Sequence, residues 1–145
     1  ILHKILSPRF SNLSLKERAR PLLSIFSQVS SLLETTVWLT VEELAPGGMD
    51  ATDGLEVAKS LQELGLKHVV ASGGTRDFAP LFYRRETQKK NHAPDFFSNE
   101  PALASAKWLL ETDMLVSSVS FIDDEKEALR IGQKLGLFSV IQRLA

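Results

Sequence analysis

The sequence has 145 residues, a length typical of one domain that can bury a hydrophobic core. Its net charge of -1, with 24% charged residues, gives no general argument for nucleic acid or an anionic membrane as partner. Because the chain has no cysteine, disulfide bonds, thiolate catalysis and zinc–thiolate sites are excluded.

The apolar runs are all much shorter than the roughly 20 residues that a membrane-spanning helix needs. The N-terminal residues show no signal-peptide pattern. These features favour a soluble protein inside the cell, in the cytoplasm or an organelle matrix, and identify no compartment. No metal site is expected, since His3, His68 and His92 lack the spacing of metal ligands.

The first helix is predicted from its start signal. Residues 1–13 are expected to form a loop, after which Ser14 and Glu17 make a capping box. Pro21 predicts a kink or a late start of this helix. The apolar residues at helical spacing, expected on the inward face, are Leu22, Ile25, Phe26, Val29, Leu32 and Leu33.

A strand–helix–strand unit follows. Residues 35–40 are rich in β-branched side chains and predict a strand, and residues 67–72 predict a second one. The helix between them follows a turn at residues 46–48 and ends at Gly65. Its candidate caps are Asp50, Thr52 and Asp53, and its inward residues are Leu55, Ala58, Leu61 and Leu64. A crossover of this length is the unit of a parallel sheet.

The second half repeats this alternation after a long loop at residues 73–97. A helix with Pro101 in its first turn precedes a strand at residues 114–122. An acidic helix start at residues 123–125, a stop at Gly136 and a strand at residues 137–141 complete the chain. The inward residues of these two helices are Leu103, Ala106, Leu109, Leu110, Ala128, Ile131 and Leu135. Four strands alternating with four helices predict an α/β fold, either half of a (β/α)8 barrel or a small doubly wound sheet.

Several segments resemble, in the same order, the Old Yellow Enzyme family of FMN-dependent ene-reductases and NADH:flavin oxidoreductases. Ile5-Leu6-Ser7-Pro8 and the helix start at residues 14–20 are similar to the segments that follow the family's strand four. The turn at residues 46–48 and residues 69–75 resemble the loop after strand five and the end of strand six. Residues 116–122 and 140–143 are similar to strands seven and eight. The resemblance implies that residues 1–145 are one partial TIM-barrel domain with strands five to eight.

The resemblance also implies an FMN site, and this sequence departs from the family at its cofactor contacts. Trp38 stands where the family has an arginine directed at the flavin, and Ser120-Phe121 stands where it has a glycine pair at the phosphate. Gln142-Arg143 replaces Gly-Arg in the last strand. These five residues are therefore expected to be vestigial FMN positions. No intact cofactor site and no catalytic residue are expected.

Other features have more ordinary interpretations. Trp38 is expected to be a core residue, and the glycine pair at residues 73–74 a plain turn instead of a phosphate nest. A basic and aromatic loop at residues 78–92 is a low-ranked candidate for contact with RNA or a protein partner. Its cations are Arg84, Arg85, Lys89 and Lys90.

The sequence therefore favours a non-catalytic descendant of an Old Yellow Enzyme-like oxidoreductase that serves as a structural subunit in a larger assembly. Its inner face, including Trp38, Val70, Val119 and Phe121, is expected to need a cover: other subunits, a second copy or a missing N-terminal half-barrel. One alternative is an active NAD(P)H:flavin oxidoreductase represented by its C-terminal half, with FMN as cofactor. The other is an RNA- or protein-binding adaptor that acts through the 78–92 loop.

Overall fold

The structure is a computed structural model, and it describes residues 12–74, 101–120 and 124–142. Most of the expected lead-in at residues 1–13 and of the loop at residues 73–97 lies outside these ranges. The described elements, in chain order, are α1 Leu15–Ser30, β1 Val37–Glu42, α2 Ala51–Glu63, β2 His68–Gly73, α3 Pro101–Leu109, β3 Leu115–Ser120, α4 Glu125–Leu135 and β4 Ser139–Gln142. The predicted alternation is confirmed, with strand bounds shifted by one or two residues.

The four strands form one parallel sheet in the order β1-β2-β3-β4. Val69 of β2 pairs with Val37 of β1 on one side and with Val116 of β3 on the other. In a doubly wound sheet the strand order reverses at a switch point, whereas here every strand neighbours the next one in sequence. The fold is therefore half of a (β/α)8 barrel, and the doubly wound alternative is wrong.

The hydrophobic core lies between one face of the sheet and all four helices. Val37, Leu39 and Val41 alternate along β1 toward this core, as Val69 and Ala71 do along β2. The helix side chains that pack in this core are at most 8% exposed. They include Phe26, Leu55, Ala58, Leu61, Leu103, Ala106, Leu109 and Ile131. Each fully buried leucine contributes about 1.5–3 kcal/mol relative to an exposed one. The predicted burial of Leu64 and Leu110 is wrong, since both side chains are exposed.

Helix α1 begins at Leu15 and runs through Pro21, so the predicted late start is wrong. The capping box is confirmed: the backbone N–H of Ser14 donates to Glu17 at 2.8 Å, and the Glu17 N–H donates to the Ser14 hydroxyl at 3.3 Å. The Ser14 hydroxyl also donates to the Glu17 carboxylate at 2.7 Å. Only part of the predicted inward face is buried, because Ile25, Val29, Leu32 and Leu33 are exposed.

The caps of α2 and α4 agree with the sequence. Asp50 accepts from the Asp53 N–H at 3.0 Å, and Asp124 accepts from the N–H groups at the start of α4. Gly65 and Gly136 follow α2 and α4 with φ of 96° and 72°, the left-handed conformation that glycine adopts without strain. These end signals fix where each helix turns back to the sheet.

Helix α2 lies unusually close to β1 at Gly54. A Cβ atom added to Gly54 would stand 2.0 Å from the carbonyl oxygen of Val41, so only glycine fits there. Gly132 in α4 differs, because an added Cβ would meet the Val140 side chain at 3.4 Å, an ordinary contact.

We expect Gly54→Ala to destabilise the fold by about 2 kcal/mol or more, because the methyl group must push α2 off the sheet. Gly132→Ala is the matched control, and alanine's better helix propensity favours it by up to about 1 kcal/mol. Urea unfolding followed by circular dichroism gives both values. Equal stabilities for the two variants would contradict the close approach of α2 to β1.

Candidate functional site

The inner face is the side of the sheet opposite the helices, the side that lines the interior of a complete barrel. The register and the alternation of side chains assign its members: Trp38, Thr40, His68, Val70, Ser72, Leu115, Ser117, Val119, Ser139 and Ile141. In barrel enzymes, catalytic residues come from the carboxyl ends of such strands. The inner face and these strand ends are therefore the candidate functional site.

Exposure varies across this face. Trp38 is 58% exposed, so the expectation that it is a core residue is wrong. Leu115 and Ile141 are also exposed, whereas Val70 and Val119 are only 5% exposed and cluster with Ala102 at the start of α3. The predicted exposure of these two valines is therefore wrong. The exposed part of the inner face therefore includes Trp38, Leu115 and Ile141.

A row of polar side chains crosses the inner face from strand to strand. We call Thr36, His68, Ser117 and Ser139 the polar row. The Thr36 hydroxyl lies 3.3 Å from Nδ1 of His68, whose Nε2 lies 2.7 Å from the Ser117 hydroxyl. Ser117 in turn lies 2.7 Å from the hydroxyl of Ser139. Phe138 packs edge-on against the His68 ring, with centroids 5.3 Å apart.

A histidine beside a serine hydroxyl is the arrangement of a general base and a nucleophile. Two observations argue against that chemistry here. Ser117 has 0% exposure, and its hydroxyl also contacts Ser139. The partner of Nδ1 is the hydroxyl of Thr36, whereas triads use a carboxylate to orient the imidazole. The polar row therefore connects the strands through hydrogen bonds that centre on the buried hydroxyl of Ser117.

Sequence reasoning missed the polar row. The sequence pattern gives His68 no role beyond the rejected one of a metal ligand. Its contact with Ser117 depends on the pairing of β2 with β3. The available signal was one serine on the inner face of β3 and another on the inner face of β4. Which residues of neighbouring strands lie side by side depends on the strand register, and the register is not encoded locally. The same applies to the link between Thr36 and β2.

The carboxylates at the carboxyl end of β1 have structural partners. Glu42 accepts a hydrogen bond from the Ser105 hydroxyl of α3 at 2.8 Å. Glu43 is fully buried and accepts from the Met49 N–H at 2.6 Å, while its own N–H donates to the Met49 carbonyl at 2.9 Å. A Cβ on Gly48 would lie 2.8 Å from this carboxylate, which explains the glycine in the turn. Glu43 thus closes the loop after β1.

The five residues predicted to be vestigial FMN positions are only partly described. Trp38 offers one N–H donor and no charge where the resemblance implies an arginine. Ser120 and Gln142 end β3 and β4, while Phe121 and Arg143 lie outside the described residues. The N–H of Gly74, a candidate phosphate donor, donates instead to the Glu42 carbonyl at 2.9 Å. Neither Trp38 nor Gly74 thus supplies the contact that a flavin or its phosphate would need.

The remaining candidates fall mostly outside the described ranges. Arg84, Arg85, Lys89 and Lys90 lie there, as do His3 and His92. Within the described ranges, no cluster of three histidine or acidic side chains has the arrangement of a metal site. In the same ranges, no helix combines the length and the apolar character needed to cross a membrane.

Two carboxyl groups with a lowered pKa lie on helices, away from the inner face. The hydroxyl and backbone N–H of Ser14 hold the pKa of Glu17 below its ordinary value, and hydrogen bonding from Arg130 does the same for the pKa of Glu127. Because the folded pKa is lowered, the contribution of each group to stability is present at neutral pH. It is lost as the pH falls through the folded pKa. These carboxylates serve helix stability.

The comparisons with known proteins add no identification. The sequence matches no protein-family model, and no curated protein shows significant similarity to it. The resemblance to the Old Yellow Enzyme family therefore depends on the segments of this chain alone and stays a hypothesis.

We expect Ser117→Ala to lower the free energy of unfolding by about 1–3 kcal/mol, because it removes two hydrogen bonds, one to His68 and one to Ser139, both of which are partly buried. Ser118→Ala is the matched control on the same strand. Ser118 is equally buried, and its hydroxyl contacts only the adjacent Val119 carbonyl at 3.2 Å among the described groups. Urea denaturation measures both changes, and equal losses would contradict the bonding role of the polar row.

Proposed function

We propose that this chain is a non-catalytic descendant of an FMN-dependent, Old Yellow Enzyme-like oxidoreductase that serves as a structural subunit. The observation that carries the proposal is the exposed indole of Trp38 on an open inner face, at the position where the family directs an arginine at the flavin. Three arguments from the described residues support it.

The first argument concerns charge. A reduced flavin is anionic, and a guanidinium stabilises it with a permanent charge and several donors. The indole of Trp38 supplies one donor and no charge, so the loss cannot be compensated at that position. An aromatic ring there is instead suited to contact with another protein surface, where tryptophan is enriched.

The second argument concerns the polar groups near the strand ends. Acid–base chemistry requires a group with access to the substrate. Glu42 and the fully buried Glu43 hold α3 and the loop after β1, and Ser117 is enclosed in the polar row. These groups stabilise the fold, and this is the pattern expected of a barrel whose catalytic constellation has been lost.

The third argument concerns the sheet. Parallel sheets are found with both faces covered, because their strands present apolar side chains on both sides. Here the helices cover one face, and the exposed side chains of Trp38, Leu115 and Ile141 lie on the other. A subunit that completes or covers this face would remove the exposure, so assembly is the function that the geometry supports best.

The proposal predicts that FMN does not bind beside Trp38. The chain has two tryptophans, so Trp108→Phe leaves Trp38 as the single fluorophore. We expect titration of this variant with FMN to give only linear, non-saturable quenching of its fluorescence after correction for absorption by the flavin. The physical reason is the missing charge at the Trp38 position.

The matched control is Trp38→Phe, in which Trp108 on α3 reports alone. Saturable quenching in Trp108→Phe but not in Trp38→Phe would place a flavin at the vestigial site. That result, together with a yellow purified protein, would favour the alternative of an active flavin oxidoreductase.

A further inference from the structure

Helix α1 lacks the packing partners that the other helices have. In a (β/α)8 barrel, each helix between two strands lies over the groove that those strands form. Helix α3 packs on both β2 and β3, and α2 and α4 lie on β1 and β4. Helix α1 packs mainly on α2. The strand that the barrel rule places on its other side is not among the described residues.

The side of α1 that faces away from α2 is apolar and exposed. The α2-facing side is marked by Arg20, Leu23 and Ser27, which line a shared groove with α2. Ile25 and Val29 are spaced for one helix face and lie on the opposite side, and Leu32 follows just after the end of the helix. Their exposures are 62%, 36% and 81%. We call these three residues the α1 stripe.

A complementary depression lies at the other end of the sheet. A groove of about 560 Å³ is lined only by α4, the turn after it and β4. Its floor includes Gly132 and Val140, and its wall includes Leu129, which is 63% exposed. We call it the β4 groove. Because β4 is an edge strand and neither α3 nor β3 lines this groove, it is on the open side of the sheet.

The two edge strands are also suited to pairing. Proteins that must avoid edge-to-edge association place proline, lysine or bulges on their edges. β1 reads VWLTVE and β4 reads SVIQ, with no proline and no cation, and the one register irregularity lies at the end of β1, after Thr40. Among the inner-face residues, His68 is the one ionisable side chain. Two copies that face each other therefore bring no carboxylate, lysine or arginine of these inner-face residues together.

We propose that two copies of this chain assemble into a closed eight-stranded barrel, with the α1 stripe of each copy in the β4 groove of the other. Four parallel strands in sequence order are half of such a ring, so β4 of one copy meets β1 of its partner at both junctions. One two-fold axis generates both contacts, which closes the assembly as a dimer. This inference rests on the proposed function and specifies the partner of the structural subunit as a second copy.

The first test is the mass of the unmodified chain in solution, measured by light scattering across a concentration series. We expect twice the 16.1 kDa chain mass. A monomer at all concentrations, or open polymers that grow with concentration, would overturn the inference.

The second test uses one variant for each surface. Ile25→Glu places a carboxylate on the α1 stripe, and Leu129→Lys places an ammonium group on the wall of the β4 groove. We expect each variant alone to raise the dimer dissociation constant by about tenfold or more, because both junctions of its dimer bury an unpaired charge. Leu110→Glu is the matched control: it is exposed after α3, away from both edges, and should leave the dimer unchanged.

The decisive step is to mix the two variants in equal amounts. In a mixed ring, one junction pairs the carboxylate with the ammonium group, while the other joins an unaltered α1 stripe to an unaltered β4 groove. We therefore expect the mixture to form more dimer than either variant alone at the same total concentration. No recovery on mixing would overturn the head-to-tail arrangement. The milder changes Ile25→Gln and Leu129→Gln replace any variant whose circular dichroism departs from that of the unmodified chain.

The outcomes for assembly and for flavin are separable. A monomer that shows no saturable FMN quenching would overturn the two-copy barrel and leave the structural-subunit proposal in place, with a different protein as cover. A dimer that binds FMN saturably beside Trp38 would support the barrel and overturn the non-catalytic proposal.

Discussion

The structure depends on the one-sided covering of a parallel sheet. Consecutive right-handed crossovers place every helix on the same face, so the four helices form one continuous core with β1 to β4. Among the described elements, no helix covers most of the other face. In a complete barrel, closure solves this problem because the inner faces of opposite strands pack on each other. Half of a barrel has the same curved arrangement of strands but lacks the opposite strands that would pack on its inner face.

The polar groups show how the described part of this half-barrel is stabilised. Glu43 closes the loop after β1, Glu42 links that strand to α3, and the polar row joins neighbouring strands across the sheet. The two carboxylates lie at the carboxyl end of β1, where barrel enzymes carry their chemistry, whereas the polar row lies nearer the amino ends of the strands. Glu43 and Ser117 are fully buried, and because buried polar groups must be paired, their contacts stabilise the fold. This pairing is one support for the proposed non-catalytic role.

Much of the fold was predictable because its signals are local. Capping residues, left-handed glycines and β-branched runs placed all the described elements within a few residues, as Asp50 and Gly136 illustrate. The exposure of Trp38 and Leu64 was not predictable. Helical or strand periodicity shows which residues share a face, but not whether another element packs on that face. The bond between His68 and Ser117 was equally hidden, because it depends on a register set by the whole sheet.

Some of the exposed apolar side chains are distributed as the proposed ring requires. Single apolar residues on a surface are normal and need no explanation. Here, however, the α1 stripe flanks one edge of the sheet, the β4 groove flanks the other, and Trp38 lies on the inner face between them. A single unrelated partner would be expected to contact one continuous patch, not two patches at opposite edges of the sheet. Closure of a ring does require two such surfaces, one on each edge, and it buries the inner face at the same time.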